Sequence, residues 1–304
     1  MIIGICVVVI TTLVIIITGV FDKHDSFDTN DSETILVINE SSAKFQQFTY
    51  NDTATGNELE YSLFIPENYD SAKKYPLIMF IPDATGSDQS AKEIVSSYYG
   101  ACIWATEEEQ SKHESFVLVP AFNDKVVDDN WSTSDQIDAA VNLIDYLQNE
   151  YSIDSNRLYT TGQSMGCMTS LYINSQYPDL FAASLYVSGQ WDISVLQPLE
   201  NQKFFYVVAA GDEKASGGQN EVIDMMRRDN VSYTYDSWSA VASAEEQDSN
   251  VKAMIDENTD HYMISFKKGT VSDGEKSSGN EHMDSFNYAY KLSAVRDWLF
   301  EQSK

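Results

Sequence analysis

A serine lies between two glycines where the sequence changes from a strand pattern to a helical one. Ser164 is the centre of a G-x-S-x-G pentapeptide that spans residues 162–166. Apolar residues alternate through residues 157–163, as in a strand, and return at helical spacing through residues 165–177. In this context the pentapeptide is typical of a nucleophile elbow, a tight turn that projects the serine hydroxyl above a sheet. The pattern therefore predicts that Ser164 is a nucleophile.

A serine hydroxyl is a poor nucleophile without a general base, and the chain order that accompanies this elbow is Ser, then Asp or Glu, then His. His282 fits that order, because it follows the last predicted strand in a Gly- and Ser-bearing stretch and precedes the terminal helix. We expect it to lie in a loop. His261 begins a strand pattern and is predicted to be structural, whereas His24 and His113 precede Ser164.

The acid that orients the histidine should follow a strand after the elbow. Asp212 comes directly after the apolar run of residues 203–211 and is the preferred candidate. Glu213 is its immediate rival, and Asp192 is a second one, because it follows another predicted strand. Aspartate at such a position is often only a turn or helix N-cap residue, so the choice of Asp212 depends on the presence of Ser164 and His282 in the expected order.

An oxyanion intermediate needs two backbone N–H donors. We expect one from Met165, which follows the nucleophile, and the other from Ala84, in the loop after the apolar run of residues 75–83. Asp83 places a carboxylate beside this site, so we expect its side chain to point away from the oxyanion and to brace the loop.

The elements that must position these residues alternate between strands and helices. Strands are predicted at residues 44–50, 58–66, 75–83, 115–122, 157–163, 182–189, 203–211 and 261–269, and helices at residues 91–106, 134–151, 165–177, 219–228, 242–257 and 290–301. This alternation implies right-handed crossovers, and hence an α/β fold with a mostly parallel central sheet flanked by helices. Residues 44–304 are predicted to form one catalytic domain.

The N-terminus carries a targeting signal. Residues 2–20 have no charge and would span about 28 Å as a helix, close to the thickness of a bilayer core. Residues 1–21 are therefore predicted to be either a cleaved signal peptide or an uncleaved anchor helix that attaches the protein to a membrane. Either would place the rest of the chain outside the cytoplasm. Residues 22–43 are predicted to be an acidic linker.

The charge and the motif content of the sequence argue against several classes of function. The net charge of -28 argues against nucleic acid as a partner, because phosphates are bound by Lys and Arg. The sequence has no G-x-G-x-x-G, P-loop or H-E-x-x-H pattern, so neither cofactor nor metal is expected. Cys6 lies in the apolar N-terminal run, and Cys102 and Cys167 are expected to be buried free thiols, although spacing does not exclude a pair.

Six segments together carry a family resemblance: YPLIMFIPDA, NRLYTTGQSMG, YPDLFAASLYVSGQWD, AAGDEKASGG, GNEHM and VRDWLF. They resemble secreted α/β-hydrolases of the esterase and peptidase group, which includes proteins akin to the prolyl oligopeptidase catalytic domain, polyhydroxybutyrate depolymerases and feruloyl esterases. The resemblance covers about residues 44–302. It implies Ser164 as nucleophile, Asp212 as acid and His282 as base, in a metal-free and cofactor-free hydrolysis through an acyl-enzyme. It also implies that Gln190 and Trp191 line the substrate pocket.

One position departs from the family pattern. Cys167 follows Gly166 where many members have a second glycine, and because cysteine is small we expect only a small change in packing. The function expected overall is that of an exported serine hydrolase acting on small or oligomeric carboxylic esters. A serine peptidase acting on short peptides is the alternative with the same chemistry, but no β-propeller segment is evident that would restrict access to peptides. A catalytically inactive surface binding module is the alternative from another class.

Overall fold

The computed structural model describes residues 32–272 and 279–304. The strands in these ranges are β1 (Gln46–Asn51), β2 (Glu58–Phe64), β3 (Tyr75–Ile81), β4 (Phe116–Ala121), β5 (Ile153–Gln163), β6 (Ala183–Val187), β7 (Phe204–Ala209), β8 (Thr234–Trp238) and β9 (His261–Phe266). They form one sheet in the order β1-β2-β4-β3-β5-β6-β7-β9-β8. The β1–β2 and β2–β4 pairs are antiparallel, and all other neighbouring pairs are parallel. The predicted α/β fold with a mostly parallel sheet is confirmed.

The central strands β3, β4 and β7 are buried along their whole length because helices cover both faces of the sheet. All seven residues of β3 are buried. Ile78 and Phe80 point to the hydrophobic core on one face, whereas Leu77, Met79 and Ile81 point to the core on the other. This alternation follows from the two-residue period of a strand and explains why the sequence shows a continuous apolar run.

The helices lie in two layers. They are α1 (Ser32–Ser42), α2 (Ala91–Val95), α3 (Tyr99–Cys102), α4 (Glu107–Lys112), α5 (Gln136–Glu150), α6 (Met165–Gln176), α7 (Glu213–Asp229), α8 (Ala244–Asp256), α9 (Glu281–Lys291) and α10 (Ser293–Glu301). Side chains of α5, α6 and α7 enter the core on one face, and those of α2, α3, α8, α9 and α10 enter the core on the other. The central strands are therefore enclosed on both sides.

Several predicted boundaries were wrong. The helix predicted for residues 91–106 is divided into α2, α3 and a short 3-10 helix, because the chain turns twice to bury Trp104 against Tyr290 and Phe300. The final helix is two helices, and α9 already begins at Glu281. Strand β8 was not predicted, because only Trp238 in it is fully buried and it lies at the edge of the sheet.

The second half of the predicted linker is helical. Helix α1 buries Thr34, Ile38 and Ser41, and it packs against α3. No helix within the two described ranges is both long and apolar enough to cross a membrane. The predicted apolar segment of residues 2–20 lies outside those ranges. Cys102 and Cys167 are both buried and are not joined in a disulfide.

Candidate active site

Ser164 lies on the turn between β5 and α6, in a backbone conformation that few side chains adopt. Its φ of 52° is positive, and its N–H donates to the Val187 carbonyl oxygen at 3.0 Å. A Cβ on Gly166 would lie 2.0 Å from the Ile81 carbonyl oxygen, and one on Gly162 would lie 2.4 Å from the Gly166 carbonyl oxygen. Both glycines are therefore required by the close approach of strand and helix, as the pentapeptide predicts.

The fold brings Ser164, His282 and Asp212 together, although they are far apart in sequence. His282 Nε2 lies 2.8 Å from Ser164 Oγ, and His282 Nδ1 lies 2.5 Å from Asp212 Oδ2. A carboxylate at Nδ1 places the ring proton there, which leaves the Nε2 lone pair directed at the serine hydroxyl. This arrangement can remove a proton from Ser164.

Asp212 is buried and has two roles at once. Its Oδ2 contacts His282, while its Oδ1 accepts from the Ala215 N–H at 3.2 Å and caps helix α7. The sequence offered the N-cap and the triad acid as alternatives, and the structure shows the N-cap together with a contact to His282 that is compatible with the second role.

His282 was expected in a loop but lies in the first turn of α9. Asn280 caps this helix by accepting from the His282 backbone N–H at 3.1 Å. The imidazole ring packs edge-on against Phe286, with ring centroids 5.1 Å apart, and its side chain is 29% exposed. The Asn280 cap therefore holds the backbone of His282, and Phe286 holds its ring.

The rival residues lie outside this arrangement. His261 is buried, with its Nδ1 2.8 Å from the Ser232 carbonyl oxygen and its Nε2 3.2 Å from that of Leu199, which agrees with a structural role. Asp192 caps a short 3-10 helix. Glu213 begins α7 and lines the cleft beside Asp212.

Met165 and Ala84 both lie at the start of helical segments that face Ser164. Met165 is the first residue of α6, and Ala84 is the first residue of a 3-10 turn that follows β3. Both residues line the same cleft as Ser164 and His282. The first N–H groups of a helix have no acceptor within it, so amides at such positions are available to an oxyanion.

Asp83 braces the loop that carries Ala84. Its buried carboxylate accepts at Oδ1 from the Thr85 N–H at 2.8 Å and hydroxyl at 2.6 Å, and at Oδ2 from Gln163 Nε2 at 2.8 Å. The Tyr98 hydroxyl lies 3.1 Å from Oδ1. Burial, and the Asp83 charge beside it, raise the pKa of Tyr98, so its hydroxyl keeps its proton. Asp83 thus joins the Ala84 loop to Gln163, the residue before Ser164.

A cleft of about 630 Å³ opens around Ser164 and His282. Gln190 lines it as expected, but Trp191 is buried behind it against Trp131 and Tyr172, at centroid distances of 5.3 and 5.7 Å. The expectation that Trp191 lines the cleft was therefore wrong, because these two aromatic rings cover its indole.

The wall of the cleft contains a polar bridge that was not predicted from the sequence. Asp129 Oδ2 lies 2.6 Å from Lys214 Nζ, and Asp129 Oδ1 accepts from Gln190 Nε2 at 3.1 Å. Exposed charged residues such as Asp129 and Lys214 carry no sequence signal, because most such charges face solvent. Within residues 32–272 and 279–304, no cluster of His, Cys, Asp and Glu could hold a metal ion.

This chain is similar to known esterases, both in sequence and in structure. A family model described as "Putative esterase" matches residues 53–273. The solved structure of a thermostable esterase is similar with a TM-score of 0.66 and 25% identity, over 87% of this chain and 64% of that one. The feruloyl esterase module of Clostridium thermocellum, solved with sinapinate, has a TM-score of 0.56 at 14% identity, over 83% of this chain and 87% of the module, and it supports the fold alone.

One curated relative matches a short segment. Acetylxylan esterase A of Emericella nidulans is 40% identical over 48 residues, which is 16% of either chain. The match therefore spans a small part of that relative's length.

Proposed function

The chain belongs to this esterase family of the α/β-hydrolase superfamily, and from that membership we propose that it hydrolyses carboxylic esters with Ser164, His282 and Asp212 as its catalytic triad. The observation that carries the proposal is the single imidazole of His282, which contacts Ser164 Oγ with one nitrogen and Asp212 with the other at the floor of an open cleft. The Ser–His–Asp arrangement is recognised by this geometry and not by position in the chain.

The proposed reaction begins at Ser164. Its Oγ forms a bond to the ester carbonyl carbon as its proton passes to His282 Nε2, and the carbonyl oxygen becomes an oxyanion. The Met165 and Ala84 amides donate to that oxygen, which is positioned near the N-terminus of α6. Asp212 holds the imidazole in the correct tautomer and stabilises the imidazolium.

The bond from the carbonyl carbon to the alcohol oxygen then breaks, and the leaving alcohol takes the proton from His282. Water enters the cleft and gives a proton to the same nitrogen, and its oxygen attacks the acyl carbon. The Ser164 oxygen leaves as the hydroxyl when it takes the proton back, and the carboxylic acid is released.

The similarity to esterases favours an ester over a peptide as the substrate. The hydrogen-bonded contacts among Ser164, His282 and Asp212 argue against an inactive binding module. Small-molecule esters are the substrates we propose. The uncharged run of residues 2–20 supports the further proposal that the protein is exported, with those residues as signal or membrane anchor, ahead of a catalytic domain of residues 44–304.

The test is covalent labelling of the full chain with a fluorophosphonate, followed by peptide mass mapping. Labelling is expected at Ser164 and should be lost in Ser164→Ala and His282→Ala, with ester turnover reduced by at least about 10⁴-fold. His113→Gln is the matched control, since His113 pairs with Asp297 at 2.9 Å outside the site, and it should label normally. A folded chain that takes up no probe would overturn the proposal.

A further inference from the structure

The carboxylate of Glu281 joins three segments of the site. Glu281 is the first residue of α9 and directly precedes His282. Its Oε2 accepts from the Gly211 N–H at 3.0 Å, and its Oε1 accepts from the Gly269 N–H at 3.0 Å. Gly211 directly precedes Asp212, and Gly269 lies in the turn that follows β9. One side chain therefore fixes the start of α9 to the loop that carries the acid.

The loop that carries Asp212 has room for this carboxylate because residue 211 is glycine. A Cβ on residue 211 would lie 2.0 Å from the Glu281 Cδ and Oε1 atoms and 2.2 Å from Oε2. Only glycine at residue 211 leaves room for the carboxylate to reach the amide. The small residue at 211 and the long acidic one at 281 are thus complementary.

The ordinary role of an acid in the first turn of a helix does not explain these contacts. Such an acid interacts with the N–H groups and dipole of its own helix. Helix α9 already has Asn280 as its cap, and both Glu281 oxygens bond to amides of other segments. The carboxylate therefore links separate elements.

We propose that Glu281 is a positioning residue for the ester hydrolysis, which sets the separation of Asp212 and His282 by clamping Gly211 and Gly269. The inference rests on the proposed function, because it concerns the same triad. The Asp212 Oδ2 to His282 Nδ1 distance of 2.5 Å tolerates little displacement of either backbone. A shift of about 1 Å in catalytic geometry costs about 100-fold in rate. Glu281 itself does not line the cleft, so its loss should change kcat and leave KM unaltered.

The test is a double-mutant cycle on the full chain, with p-nitrophenyl acetate turnover and the rate of fluorophosphonate labelling as readouts. Glu281→Ala should lower kcat by about 10- to 100-fold, with KM unchanged within about twofold. The unfolding midpoint should change little, because the Gly269 amide is exposed and Gly211 lines the open cleft, so water can replace the carboxylate at both amides. Glu281→Gln, which keeps one acceptor oxygen, should fall between wild type and Glu281→Ala.

Gly211→Ala supplies the decisive comparison. Its methyl group should displace the flexible end of Glu281 and lower kcat as much as Glu281→Ala does. In the Glu281→Ala background the same methyl meets no carboxylate, so Gly211→Ala should cause no further loss. Glu245→Ala, which removes an exposed first-turn acid of α8, is the matched control and should behave as wild type.

The outcomes separate the two proposals. A wild-type kcat in Glu281→Ala overturns the positioning role. So does a double variant whose loss in kcat is the product of the two single losses. In both cases labelling of Ser164 still supports the proposed function. A rise in KM with no change in kcat also overturns it. A wild-type chain that neither labels nor turns over ester overturns the proposed function and the positioning role together.

Discussion

Because Asp83 joins the Ala84 loop to Gln163, we expect its truncation to separate the proposed oxyanion loop from Ser164. In Asp83→Ala, Gln163 Nε2 loses its acceptor in the buried interior. The Thr85 N–H also loses its acceptor, so the 3-10 helix at Ala84 loses its N-cap. The Thr85 and Tyr98 hydroxyls lie 2.7 Å apart and can still bond to each other, so only one of their two protons is left without an acceptor.

The magnitude follows from these lost partners. Each buried donor without an acceptor costs about 1–3 kcal/mol, and a lost cap costs about 1 kcal/mol. Asp83→Ala should therefore lower the free energy of unfolding by about 3–7 kcal/mol, a large part of the 5–15 kcal/mol typical of a domain. Displacement of the Ala84 amide should lower kcat by about 100-fold, the loss that follows removal of one oxyanion donor.

Urea unfolding and ester kinetics on the same samples test both figures. Asp83→Asn is the matched variant: its Oδ1 still accepts from Thr85, and a rotated Gln163 amide can present its oxygen to the new NH₂ group. It should lose only about 1 kcal/mol, the net value of one hydrogen bond. If Asp83→Ala unfolds at the wild-type urea concentration and keeps its kcat, the bracing role is refuted.

Two further predictions concern the elbow and the response to acid. Gly166→Ala places a methyl 2.0 Å from a backbone oxygen of β3, so activity and about 1–3 kcal/mol of stability should be lost, whereas Gly217→Ala, with open space around it, should show neither loss in kinetics or urea unfolding. Burial raises the pKa of Asp52, but hydrogen bonds from Thr55 and Asn142 outweigh it and lower the pKa to about 2. The ionised form therefore stabilises the fold fully above about pH 4, and up to about 2 kcal/mol is lost as the pH falls towards 2. Asp52→Asn should remove this dependence in unfolding curves between pH 5 and 2, and an unchanged dependence would contradict the assignment.

Predictions that depended on local chemistry agree with the structure. The turn at Ser164 needs a glycine two residues before it and another two residues after it. The spacing of the two glycines therefore predicts the turn from sequence alone. The central strands were recognisable because burial on both faces makes most of their residues apolar, and β3 is the clearest case. Chain order selected His282 and Asp212 as candidates, and the structure places the two side chains in contact with one another.

Predictions that depended on distant contacts failed or were absent. The break between α2 and α3, and the start of α9 at Glu281, depend on what these segments pack against. Trp191 was expected to line the cleft, but its indole ring is covered by Trp131 and Tyr172. Strand β8 has one buried residue and pairs only with β9, so its sequence resembles that of an exposed loop.

The sequence by itself determined the fold class and selected Ser164, Asp212 and His282 as the candidate triad, because glycine spacing, apolar runs and chain order can be read directly along the chain. Asp212 and Asp83 were already candidates from the sequence, but only the tertiary structure decided which partner each carboxylate contacts and added Asp129 and Glu281. Asp83, Asp129, Asp212 and Glu281 are all acids beside loops in a chain with 47 of them. Their different roles arise from the partner that each one meets, namely Gln163, Lys214, His282 and the amide of Gly211. Those partners lie 70 to 85 residues away, and folding alone brings them within hydrogen-bonding distance.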